Sequence, residues 1–148
     1  MSHLKYNIVE VRLYGKVEDL NIDTFAVSGG RAGSKKKGAS NWLLENNWTM
    51  TFVKKTKTNS GGPLPLGKYY LKKHESRENW IRLVPLKATD MGNRAGMAIH
   101  GRGPRGSDGC IVPYDFQVIK NLLKVLEKIK YKPILDVIAV GDLSSFRV

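Results

Sequence analysis

The stretch Met97-Ala-Ile-His-Gly-Arg-Gly-Pro-Arg-Gly-Ser-Asp-Gly-Cys-Ile-Val-Pro113, with the residues that follow it, decides the fold. Met97 to Ile99 is a short apolar run that ends at His100, and Ile111 begins another. Between them lies a loop from Gly101 to Gly109, nine residues long and rich in glycine. Beyond Pro113 the pattern changes. Phe116, Ile119, Leu122, Leu123, Leu126 and Ile129 repeat with the 3.6-residue period of a helix. Asp115 stands where an N-cap belongs, and Lys128 and Lys130 sit at the end where the helix dipole favours cations. The spacing predicts one long helix whose apolar face packs on a sheet.

The other regular elements read as strands. Asn7 to Leu13 alternates, with Val9, Val11 and Leu13 on one face, as a half-buried strand does. Thr24 to Ser28 is short and apolar and breaks at Gly29-Gly30. Trp48, Met50 and Phe52 share a face over Trp48 to Val53. Tyr69 to Leu71 and Trp80 to Val84 read as further strands, and Ile134 to Val140 as a β-branched closing strand entered through Pro133. The expectation is a mainly β domain, sandwich-like or barrel-like, with one long helix in its C-terminal half. At 148 residues the chain suffices for one domain, 1–148.

Composition bounds the partners. Twenty-five Lys plus Arg against 13 Asp plus Glu give a net charge of +12, which attracts polyanions. Nucleic acid, an anionic cell wall and an acidic protein all fit. Trp42, Trp48 and Trp80 supply aromatics for a nucleic-acid-binding module, although Trp48 fits a strand core better. The Lys-rich run within Arg31 to Ser40 reads as a solvated loop. No segment reaches the roughly 20 apolar residues of a membrane span, and Met1 to Glu10 has no apolar run of signal-peptide length. The single cysteine rules out an internal disulfide. His3, His74 and His100 are scattered, so no metal site or cofactor is expected.

The loop between His100 and Cys110 carries the chemistry. A thiol is mostly neutral at pH 7 and needs a base or a cation beside it. A histidine at the end of one strand reaches a cysteine at the start of the next if the loop turns back, and the glycines permit that turn. The Gly101 carbonyl is placed to fix the tautomer of His100. The N–H groups of Asp108, Gly109 and Cys110, following Ser107, could point at one spot and form an oxyanion hole. Arg102 and Arg105 favour a thiolate, and each is a candidate for a substrate carboxylate; Asp108 opposes them. The plain alternatives are a buried small cysteine and a structural histidine.

His100-Gly101, the glycine-rich loop and Ser107-Asp108-Gly109-Cys110-Ile111-Val112 resemble the active-site signature of the L,D-transpeptidases, the YkuD-like superfamily. Pro65-Leu66-Gly67-Lys68-Tyr69-Tyr70 is similar to the family's Pro-x-Gly-x-aromatic stretch. Asp108 replaces the histidine of the usual pattern, and the ten-residue step from His100 to Cys110 is shorter than usual. Both departures resemble the L,D-transpeptidase-like effectors of type VI secretion, as does the Ser28-Gly29 step. The resemblance implies a β-rich catalytic domain acting on peptidoglycan stem peptides, with Cys110 as nucleophile, His100 as base, and Ser28, Gly29 and Tyr70 near the substrate. It implies an L,D-carboxypeptidase or an L,D-transpeptidase exchanging D-amino acids. It also implies an immunity protein in the producing cell, and passage from the cytoplasm through the secretion apparatus to a rival's periplasm. A wall-binding relative without catalysis keeps the same fold.

Overall fold

Hydrophobic alternation closes on itself in this chain. The computed structural model describes residues 2–28, 64–89, 91, 96–101 and 110–141. Eight strands are described: β1 (His3–Asn7), β2 (Arg12–Val17), β3 (Leu20–Ser28), β4 (Gly67–Lys73), β5 (Ile81–Pro85), β6 (Ala98–Ile99), β7 (Ile111–Pro113) and β8 (Ile134–Ile138). They form a closed barrel in the order β1-β2-β3-β7-β6-β5-β4-β8. Most neighbours are antiparallel. The parallel pairs are β1 with β8, where Leu4 faces Leu135, and β6 with β7, where Ile99 faces Ile111. The expected strand at 48–53 lies outside the described residues, as does the basic loop at 31–40.

An eight-stranded barrel has an interior that side chains just fill. Here Leu4, Tyr6, Leu13, Tyr69, Leu71, Ile81, Leu83, Ile99, Ile111 and Leu135 fill it. The two tyrosine hydroxyls stay satisfied inside. Tyr6 donates to the Ala26 carbonyl at 2.9 Å and Tyr69 to the Pro65 carbonyl at 2.7 Å. Gly15 is required where β2 pairs with β1, opposite Leu4. It has φ +133°, and a Cβ there would overlap the His3 carbonyl oxygen.

The expected helix is α1 (Phe116–Lys128). Asp115 caps it, its Oδ1 accepting the Gln117 N–H at 3.0 Å. The helix packs against β3 and β7 and against β4, three strands away from β7 around the barrel. Ile119 and Leu122 are fully buried in the barrel core, worth roughly 1.5–3 kcal/mol each relative to exposure. Among the described residues no helix is long and apolar enough to cross a membrane.

One expected strand is wrong. The alternating run 7–13 is a hairpin turn at residues 8–11 between β1 and β2. Asn7 reverses the chain. Its buried side chain accepts the Val9 and Val140 N–H groups at 3.1 and 3.2 Å, and donates to Glu10 at 2.8 Å and to the Val140 carbonyl at 2.9 Å. Val11 sits at φ +53°, which a β-branched residue rarely adopts. Side-chain hydrogen bonds of this kind compete with the ladder, and here they outweigh the period.

Candidate active site

The β6–β7 pair is very short, so His100 and Cys110 lie one residue to either side of the Ile99–Ile111 pair. The His100 N–H donates to the Ile111 carbonyl at 3.0 Å. His100 follows Ile99, Cys110 precedes Ile111, and those two isoleucines are partners. With ordinary strand spacing and rise, the His100 and Cys110 Cα atoms are about 8 Å apart. In a parallel pair the end of one strand and the start of the next separate with every added residue, so a long ladder would pull them apart. Cys110 is half-buried and packs against the rim of the barrel core.

His100 is prepared as a base. Its Nδ1 lies 2.8 Å from the Gly101 carbonyl. A carbonyl only accepts, so Nδ1 carries the proton of the neutral ring and Nε2 has the lone pair. Burial pushes the imidazole below its ordinary pKa. The Gly101 carbonyl opposes that shift and the charge of Arg77 adds to it. The ring is therefore held neutral at pH 7, the form that takes up a proton.

Trp80 lies flat on this imidazole, with ring centroids 4.2 Å apart and planes within 13°. Register explains the meeting: Ile81 faces Ile99 across β5 and β6, so Trp80 and His100 are the next row. The β4–β5 loop folds up beside them. The buried His74 organises it, its Nδ1 accepting the Ser76 and Arg77 N–H groups at 3.2 and 3.0 Å. The His74 N–H closes the loop onto the Trp80 carbonyl at 3.1 Å. Arg77 then lies over the Trp80 ring, 4.5 Å from its centroid.

A cleft of about 470 Å³ opens between this loop and the start of α1. It is lined by Arg77, Glu78, Asn79, Trp80, His100, Gly101 and Phe116. The Phe116 ring sits so close to Gly101 that a Cβ at that position would lie 2.5 Å from Cδ1 and 2.6 Å from Cε1. Gly101 thus serves twice, offering its carbonyl to His100 and its bare Cα to Phe116. By pattern alone Trp80 belongs to a strand, or to the aromatics of a nucleic-acid-binding module, Phe116 to the helix face, and residues 77–79 carry no mark of a site. The signal available was the position of Trp80 one residue before a strand whose neighbour ends one residue before His100.

The other expected site residues fall as follows. Ser28 ends β3 opposite Ile111, the residue after Cys110. It is buried, and its hydroxyl accepts the Leu64 N–H at 2.7 Å. Tyr70 faces Val84 on β5, four residues along from Trp80, and does not line the cleft. Cys110 does not line it either. Gly29, Arg102, Arg105, Ser107, Asp108 and Gly109 lie outside the described residues. Among the described residues no cluster of His, Cys, Asp and Glu could hold a metal ion.

Comparisons with protein-family models, with curated proteins and with solved structures found no match to this chain.

Proposed function

We propose that the chain is a cysteine enzyme of peptidoglycan, an L,D-carboxypeptidase or L,D-transpeptidase delivered as a type VI secretion effector. The observation that carries the reading is His100, with Nδ1 on a carbonyl, one strand pairing away from the single cysteine. The sequence Ser107-Asp108-Gly109-Cys110 supplies the family likeness. The Cys110 thiol gives its proton to His100 Nε2 as the sulfur attacks the stem-peptide carbonyl before a terminal D-amino acid. The C–N bond breaks, and the imidazolium returns that proton to the leaving amine. Water, activated by the same Nε2, resolves the thioester in hydrolysis; an amine does so in exchange or cross-linking. The site of action is a rival cell's periplasm, and the producer carries an immunity protein.

Purified protein incubated with tetrapeptide muropeptides tests this by mass spectrometry. Loss or exchange of the terminal D-alanine is expected from the wild type and not from Cys110→Ala. Identical, unchanged products from both would sink the reading.

A second reading is a wall-binding relative with an inert thiol. It is favoured by one observation: Cys110 packs on the core and does not line the cleft. Rapid alkylation of Cys110 by iodoacetamide near neutral pH excludes it, because burial without activation leaves a thiol unreactive.

A further inference from the structure

We infer that Trp80 is a positioning residue for the base: its indole, stacked flat on His100, fixes the imidazole plane so that Nδ1 stays on the Gly101 carbonyl and Nε2 remains the proton acceptor. This rests on the thiol–imidazole reading above and adds a residue to it. A single hydrogen bond restrains one atom of a ring and leaves the ring free to tilt about that atom. A parallel aromatic face 4.2 Å away removes the tilt.

The indole is itself held. Its backbone carbonyl accepts the His74 N–H. The His74 ring meets it edge-on, with centroids 5.7 Å apart and planes at 75°, and the Arg77 guanidinium lies over it. A tryptophan kept for packing alone belongs among the inner side chains. Trp80 instead lies just outside the β5 ladder, half-exposed, with its flat face on the base. Among the described residues, the charged groups that line the cleft beside the imidazole are Arg77 and Glu78 from the β4–β5 loop, and Cys110 stands at the head of β7. The helix presents the apolar Phe116.

Two variants separate the roles of the ring. Trp80→Phe keeps a flat face; Trp80→Leu keeps apolar volume without one. Trp80→Met repeats the second case with a softer side chain should Trp80→Leu not fold. Long-range proton–nitrogen NMR of the imidazole reads the tautomer without any need for turnover. The Nδ1–H form is expected to dominate in the wild type and Trp80→Phe, and to give way to a mixture in Trp80→Leu. On tetrapeptide substrate, loss of alignment lowers kcat by about tenfold in Trp80→Leu with KM little changed. Trp80→Phe restores most of the rate. The acid limb of the pH profile moves up in Trp80→Leu, because water then reaches the imidazole and relieves the burial that depresses it. A folded Trp80→Leu or Trp80→Met protein with the wild-type tautomer overturns the proposal. A tautomer change in a protein without turnover upholds the positioning role and overturns the peptidoglycan reading alone.

Discussion

Replacing Gly101 by alanine tests the junction between base and helix. The added methyl would stand 2.5 and 2.6 Å from two Phe116 ring carbons, where ordinary carbon contacts are about 3.5–4.0 Å. Ring or loop must therefore retreat by about 1 Å. The ring can move, because Phe116 is 41% exposed. Its backbone moves less readily, since it begins α1 directly behind the Asp115 cap. Overpacking usually costs 1–3 kcal/mol, and the solvent on one side of the ring argues for the lower part, about 1–2 kcal/mol. For a chain of this length that is about 2–4 °C in Tm per kcal/mol. Urea and thermal unfolding of the wild type, Gly101→Ala, Phe116→Ala and the double variant form a cycle that isolates the clash. Gly101→Ala is expected to cost about 1–2 kcal/mol with Phe116 present and close to nothing without it. An equal cost in both backgrounds would place the strain in the backbone and refute the steric reasoning.

Two further outcomes follow from the same geometry. Asp115→Ala removes the side-chain acceptor of the Gln117 N–H and should cost about 0.5–2 kcal/mol, most of it recovered by Asp115→Asn; an unmoved melting midpoint would show the cap to be idle. His100 makes stability depend on pH with a definite sign. Its folded pKa lies below the ordinary value near 6.5, so the unfolded chain takes up the proton first. Stability is then full above about pH 6.5 and falls as pH drops toward the folded value. Urea midpoints measured from about pH 7.5 to about pH 5 should decline less in His100→Gln than in the wild type; parallel declines would remove His100 as the cause.

The fold class was legible because two periods differ sharply in this chain. The run from Phe116 to Ile129 has the helical repeat, and α1 ends within a residue of it. The alternating and β-branched runs gave β3, β4, β5 and β8 within a few residues. The period failed at residues 8–11, where the side chain of Asn7 offers the backbone better partners than a straight ladder does. Closure into a barrel was not legible, since it depends on a pairing of β1 with β8 that no local pattern encodes. Within the site, His100, Gly101 and Cys110 stand out by residue type and spacing. Trp80 and Phe116 do not, because their roles come from register across β5 and β6 and from a glycine that lets a ring approach. Without the pairing of Ile81 with Ile99, a tryptophan at a strand end is only an apolar residue.

The pairing of β1 with β8 also sets an order of events. The barrel shuts only when Leu4 meets Leu135, so the ring cannot form until nearly the whole described chain is available. Contacts so distant in sequence place such topologies among the slow folders, in milliseconds to seconds. During synthesis, β1 would wait as an open edge until β8 arrives, exposed to pairing with other chains. The stack of Trp80 on His100 rests instead on the pairing of β5 with β6, so the seat of the base does not depend on that last closure.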